Sequence, residues 1–111
     1  SHPIGAAHHT HHGTTNAVCM PAVLELNAPQ ITDRFDAAAG YLGISGGFVG
    51  FQAHVAQMNE SLGIPSRLSA LGVEDPNMEK LVADAMSDPS CGGNPVALTQ
   101  ENLRALFKAV L

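Results

Sequence analysis

The sequence predicts an all-α fold, a bundle of five to six short helices with short connections. Three observations predict it. Apolar residues recur at helical spacing in several segments. Capping and stop residues bracket those segments. No run shows the alternating β-branched pattern of a strand. The chain has 111 residues, 45% of them hydrophobic and 14% charged, which suits one globular domain over residues 1–111 and excludes a disordered tail.

The elements follow in order. Thr14, Thr15 and Asn16 are capping residues after Gly13, and the segment Ala17 to Leu26 is apolar nearly all round, so it reads as a buried helix bent at Pro21. Asn27-Ala28-Pro29 is expected to end it. A second helix carries Ile31, Phe35, Ala38 and Leu42 on one face and stops at Gly43. After Ser45-Gly46-Gly47, a third carries Phe48, Phe51, Val55, Met58 and Leu62, ending at Gly63 and Pro65. Ser66 to Leu71 reads as a short helix closed by Gly72. Asp75-Pro76 is expected to open a helix with Met78, Leu81, Val82 and Ala85 inward. Pro89 to Pro95 reads as a loop, and Thr99 caps a last helix with Leu103, Leu106, Phe107 and Val110 on its apolar face.

Composition excludes several function classes. Five basic against ten acidic residues give a net charge of 5 − 10 = −5, and no basic cluster exists, so neither nucleic acid nor an anionic membrane is expected as a partner. The longest apolar run, Ala17 to Leu24, is interrupted by Pro21 and too short to span a bilayer. No basic stretch precedes an apolar one at the start, so no secretory signal is expected. Two cysteines, Cys19 and Cys91, make no disulfide framework, and a reducing cytoplasm is the expected setting.

The histidines carry the chemical signal. Five of the six lie in the first twelve residues, and imidazole is a ligand for zinc, iron or nickel. His8, His9, His11 and His12 form a dense donor run, expected to be extended and to precede the first helix. Thr10 interrupts the run, which argues against an affinity tag. His54, alone in the third helix, reads as a surface or satisfied core residue. The ten carboxylates are scattered, and none pairs with the histidines in sequence. Cys19 reads as a small buried hydrophobe and Cys91 as the more accessible thiol, with no sign of activation in either. Gly92-Gly93 lacks both the spacing and the preceding strand of a phosphate loop.

Taken together, an ordered set of motifs resembles one family. His2-Pro3-Ile4-Gly5, His12-Gly13, Asn16-Ala17, Pro21 and Asn27 resemble the metal-binding stretch of the iron-containing (group III) alcohol dehydrogenases. Leu62-Gly63-Ile64-Pro65, Leu68 and Gly72-Val73 resemble the family's next segment, and Asp88, Asn94-Pro95 and the Thr99 helix its closing block. Coverage is essentially the whole chain, in order. The resemblance implies the later part of the family's C-terminal all-α, dehydroquinate synthase-like domain, with the N-terminal nucleotide-binding α/β domain absent; a start at Ser1 rather than Met agrees with a fragment.

The resemblance also implies roles. The histidine of the family's "pHG" motif, its last metal ligand, matches His12, although His11 stands where the family has proline. The histidine ten residues earlier, near the nicotinamide and associated with proton transfer, matches His2 (12 − 2 = 10). The family's other ligands fall upstream of Ser1. Aligned through Gly92-Gly93-Asn94, the cysteine that many relatives place near the substrate is Ser90, which puts Ser90 at the substrate cleft. The implied cofactors are Fe2+, Zn2+ or another divalent metal, with NAD or NADP in the intact enzyme, acting on a small alcohol or aldehyde. The intact enzyme is expected to be a homo-oligomer and the isolated chain inactive. Two readings compete: a free-standing His-rich metal-binding module without catalysis, and a helical bundle serving only as an interaction surface.

Overall fold

The computed structural model describes residues 1–111 and is all-helical: α1 (His2–His8), α2 (His12–Tyr41), α3 (Gly47–Ser61), α4 (Met78–Ser87) and α5 (Gln100–Val110), with 3-10 turns at Leu68–Leu71 and Pro89–Gly93. No helix is long and apolar enough to cross a membrane. The molecule is a slab of 40 × 31 × 19 Å. A slab that thin has little interior, so the buried side chains divide into two clusters.

The larger cluster joins α1, the first half of α2, α4 and α5 through Ile4, Val18, Leu68, Leu81, Val82, Leu103 and Phe107. Of the inward faces expected for α4 and α5, Leu81, Val82, Ala85, Leu103, Phe107 and Val110 are buried, while Met78 and Leu106 are half-buried. The smaller cluster, Leu24, Ile31, Phe48 and Val55, lies between the second half of α2 and α3. There Phe35 meets Phe48 and Phe51 edge-on, with ring centroids 5.9 and 4.8 Å apart. Leu42, Met58 and Leu62, expected on the same faces, are exposed at 63%, 49% and 69%. Periodicity marks which side of a helix is apolar; whether a partner covers all of it depends on packing, and α3 packs chiefly on α2.

Three expectations about elements need correction. The histidine run is extended only at His11, since His8 and His12 belong to helices and His9 is left-handed. His2–His8 is helical, started by Pro3 in its first turn, and His8 ends it. The first α2 residue is His12, and its cap is His11, whose Nδ1 accepts from Thr14 N at 3.4 Å, in place of the expected Thr14–Asn16. Second, the chain does not stop at Asn27-Ala28-Pro29. α2 runs for 30 residues through both Pro21 and Pro29. An interior proline costs about 3 kcal/mol through the lost N–H bond and the ring clash. Burial of Leu24 and Ile31 on either side of Pro29, and of Asn27 between them, outweighs that cost. Third, Asp75-Pro76 does not open α4: Asp75 has a positive φ of 45°, and Asn77 is the cap, accepting from Lys80 N.

Two polar devices hold the layout. Asp36 Oδ1 on α2 accepts from Phe48 N at 2.6 Å, capping α3 from across the hairpin. Asn27 and Asn94 exchange amide bonds of 2.8 and 2.7 Å, and Asn94 Nδ2 also donates to Val96 O at 2.7 Å. This pair pins the loop after α4 to the middle of α2. Asn27→Ala leaves part of the Asn94 amide unpartnered in a half-buried setting, and is expected to cost about 1–3 kcal/mol. In a thermal unfolding scan the midpoint should fall by roughly 4–8 °C per kcal/mol. An unchanged midpoint would mean that water replaces the pair without penalty.

Candidate functional site

The α1–α2 corner, the start of α2 and the loop after α4 enclose a cleft of about 530 Å³. Its polar side holds His2, His12, Asn16, Asp88 and Ser90, and its apolar wall includes Val23, Leu103 and Phe107. The corner is built locally. His9 adopts the left-handed conformation (φ 55°, ψ 36°), one that histidine tolerates better than most residues, and its N–H bonds Gly5 O. The buried Thr15 hydroxyl lies 2.7 Å from both His11 O and Thr10 Oγ1 and locks the turn.

This corner turns α1 back so that His2 stacks on His12, with ring centroids 5.3 Å apart and planes inclined by 17°. The two histidines singled out in the sequence therefore lie side by side. Asn16 Nδ2, one helical turn on, is 3.1 Å from His12 Nε2 and orients that ring. His2 Nδ1 lies 2.7 Å from Asp88 Oδ2. Asp88 in turn accepts from both the backbone N–H (2.8 Å) and the hydroxyl (2.5 Å) of Ser90 through Oδ1. Ser90 thus lines the cleft, with its hydroxyl engaged by Asp88.

Asp88 is not legible in the sequence as a partner of the histidines, because 86 residues separate it from His2. The available signal is Asp-Pro at a helix stop, which marks a carboxylate bonded to the following backbone. The hydroxyl and N–H of Ser90, then the His2 imidazole, hold the Asp88 carboxyl below the ordinary 3.8, at about 2. A depressed carboxyl stabilises the fold above its unfolded value. That contribution is present above about pH 4 and is lost as the pH falls towards 2. Asp88→Ala is therefore expected to flatten this part of the acid-unfolding curve, measured by circular dichroism between pH 5 and 2.

The remaining histidines do not join the site. His9, His11 and His54 are exposed, and His8 is half-buried at the end of α1. No group of three or more His, Cys, Asp or Glu side chains is arranged to hold a metal ion. His12 is a nitrogen donor of the kind that suits a divalent first-row ion. It fits one position of a coordination sphere, and these 111 residues do not complete one. The thiols behave as their positions dictate. Cys19 is buried, and burial pushes its thiol up, whereas Cys91 is half-buried at the cleft. Iodoacetamide should therefore label Cys91 in the folded protein and spare Cys19 until unfolding, as read by peptide mass mapping; equal labelling would contradict the packing of α2.

Residues 1–111 match the family model described as Fe-containing alcohol dehydrogenase family, C-terminal. The chain belongs to the iron-containing alcohol dehydrogenase family. It corresponds to that family's C-terminal domain, and the helical architecture agrees. It is 29% identical to the lactaldehyde reductase of Escherichia coli (strain K12) over 114 residues, covering 96% of this chain and 30% of that protein. It is 31% identical to the NAD-dependent methanol dehydrogenase of Bacillus methanolicus, covering 100% of this chain and 31% of that one. Among solved structures it superposes on a 1,3-propanediol oxidoreductase with a TM-score of 0.89 at 25% identity, over 99% of this chain and 31% of the other. This iron-containing alcohol dehydrogenase domain thus spans about 30% of the length of the relatives it matches.

Proposed function

We propose that this domain forms one wall of the active site of a metal-dependent, NAD(P)-linked alcohol dehydrogenase acting on a small alcohol or aldehyde. The observation that carries the reading is the His2–His12 stack on the polar side of the cleft. His12 serves as one metal ligand, its Nε2 giving up the Asn16 amide contact when the ion binds there. His2 serves as the group that takes or returns the hydroxyl proton of the substrate. Ser90 lies on the substrate side of the cleft and holds Asp88. The bound divalent ion, Fe2+, Zn2+ or another, supplies Lewis acidity towards the substrate oxygen, and NAD or NADP supplies or accepts the hydride. On this reading the remaining ligands come from the earlier part of the helical domain and the dinucleotide site from the α/β domain of the whole protein, and residues 1–111 alone are expected to be inactive. Two free thiols suit the reducing cytoplasm. Homo-oligomeric assembly is part of the same reading.

The test is a spectrophotometric assay of the whole protein with small primary alcohols, diols and aldehydes. Alcohol-dependent reduction of NAD or NADP that disappears on chelation and returns with divalent metal is expected. Absence of hydride transfer, combined with tight metal binding by the 111 residues that depends on His8, His9 and His11, would instead establish the non-catalytic metal-binding module.

A further inference from the structure

We propose that Asp88 is the positioning residue of His2, fixing the imidazole as its Nδ1–H tautomer and leaving Nε2 as the ring's proton-accepting nitrogen. The proposal rests on the reading of His2 as the proton-transfer group and extends it to a residue 86 positions away.

Asp88 Oδ2 lies 2.7 Å from His2 Nδ1, a distance typical of a charge-assisted hydrogen bond. Asp88 is itself held: Oδ1 accepts both the N–H and the hydroxyl of Ser90, so the carboxylate has one oxygen committed to the loop and the other to the ring. An ionised carboxylate only accepts, so the proton in the His2–Asp88 bond belongs to Nδ1. The neutral ring has one N–H, and Nε2 then carries the lone pair. Proton exchange requires that choice of nitrogen, because a general base must present its lone pair to the group it deprotonates. The loop that bears Asp88 is in turn tied to α2 by the Asn27–Asn94 pair, so the carboxylate is braced from both sides. On its other face the His2 ring is supported by His12.

Asp88→Asn separates positioning from a purely structural role. The carbonyl oxygen of the introduced carboxamide can still accept from Ser90 and keep the loop, while its N–H₂ group then faces His2 Nδ1. A donor there forces Nδ1 to accept and moves the ring proton to Nε2. The experiment uses the whole protein with 15N-labelled histidine, the His2 signals being identified by their loss in His2→Gln. In the unsubstituted protein, Nδ1 is expected at the protonated-nitrogen shift and Nε2 at the unprotonated one; in Asp88→Asn the two are expected to exchange. With metal and NAD(P) bound, kcat is expected to fall about 10²-fold, the lower end of what a placed proton-transfer group contributes, with metal content and KM unchanged.

His2 found as the Nε2–H tautomer in the unsubstituted protein overturns the proposal. So does an Asp88→Asn protein whose His2 shifts and kcat are unaltered. The reading beneath it fails separately. If His2→Gln retains full kcat, His2 is not the proton-transfer group, and the tautomer spectrum still reports whether Asp88 orients the ring.

Discussion

Replacing His12 with alanine is expected to remove bound metal and turnover together. The ring sits in the first turn of α2, braced by Asn16 and stacked on His2, so its loss deletes a donor without deleting a core contact. Lewis-acid assistance supplies several kcal/mol to the transition state, which corresponds to at least about a 10²-fold loss of kcat. Metal content, measured by atomic emission on the purified whole protein, should fall in parallel. His2→Ala makes the contrast. It should retain metal and lose about 10²- to 10⁴-fold in kcat, the range attributed to a positioned acid–base group. Both side chains are exposed, so neither substitution should lower the unfolding midpoint by much. Full metal content in His12→Ala would show that the ligand assignment is wrong.

A second large effect is expected at Gly50, and it is structural. A Cβ built on Gly50 would lie 1.8 Å from Ser45 O and 2.8 Å from Ser45 C, both backbone atoms that no rotamer can move. The turn before α3 cannot simply give way. Ile44 N bonds Ala39 O at 2.8 Å, Gly46 and Gly47 hold positive φ values of 91° and 61°, and Phe48 N is bonded to Asp36. Gly50→Ala must break some of these, and the smaller core around Leu24, Ile31, Phe48 and Val55 hangs on the same hairpin. A loss of about 3 kcal/mol or more is expected, in the overpacking range or beyond it. Gly40 is the control. It lies near the end of α2 with nothing within 4 Å of its Cβ position, so Gly40→Ala should stabilise by about 0.5–1 kcal/mol through helix propensity and unfolded-chain entropy. Denaturant titration of both variants measures the difference. A Gly50→Ala protein as stable as Gly40→Ala would show that the Ser45 turn is not packed as described.

How far the site can be read in advance depends on the range of the interaction. His2 and His12 are legible because both stand within one short motif whose order resembles a family. That they stack is not legible, since it requires the left-handed turn at His9 and the helix from His2 to His8, which the histidine-rich composition disguises. Asp88 is visible only as a residue before proline; its bond to His2 arises where the loop after α4 meets the α1–α2 corner. Ser90 is among the residues lining the cleft, and its hydroxyl's engagement with Asp88 comes from a local Asx-type turn.

The same division holds for the fold. By itself the sequence determined the helical class, most of the buried faces of α4 and α5, the Thr99 cap, and the glycine stops at Gly43, Gly63 and Gly72. These depend on spacing, capping and φ freedom within a few residues, where local free energies of about 1 kcal/mol are unopposed. Only the tertiary structure decided that α2 continues through Pro29, that Leu42 and Leu62 stay exposed, and that His2, His12 and Asp88 share one cleft. In each of these, burial and hydrogen bonding between segments far apart in the chain outweigh or complete a local preference, and no window of neighbouring residues contains both partners.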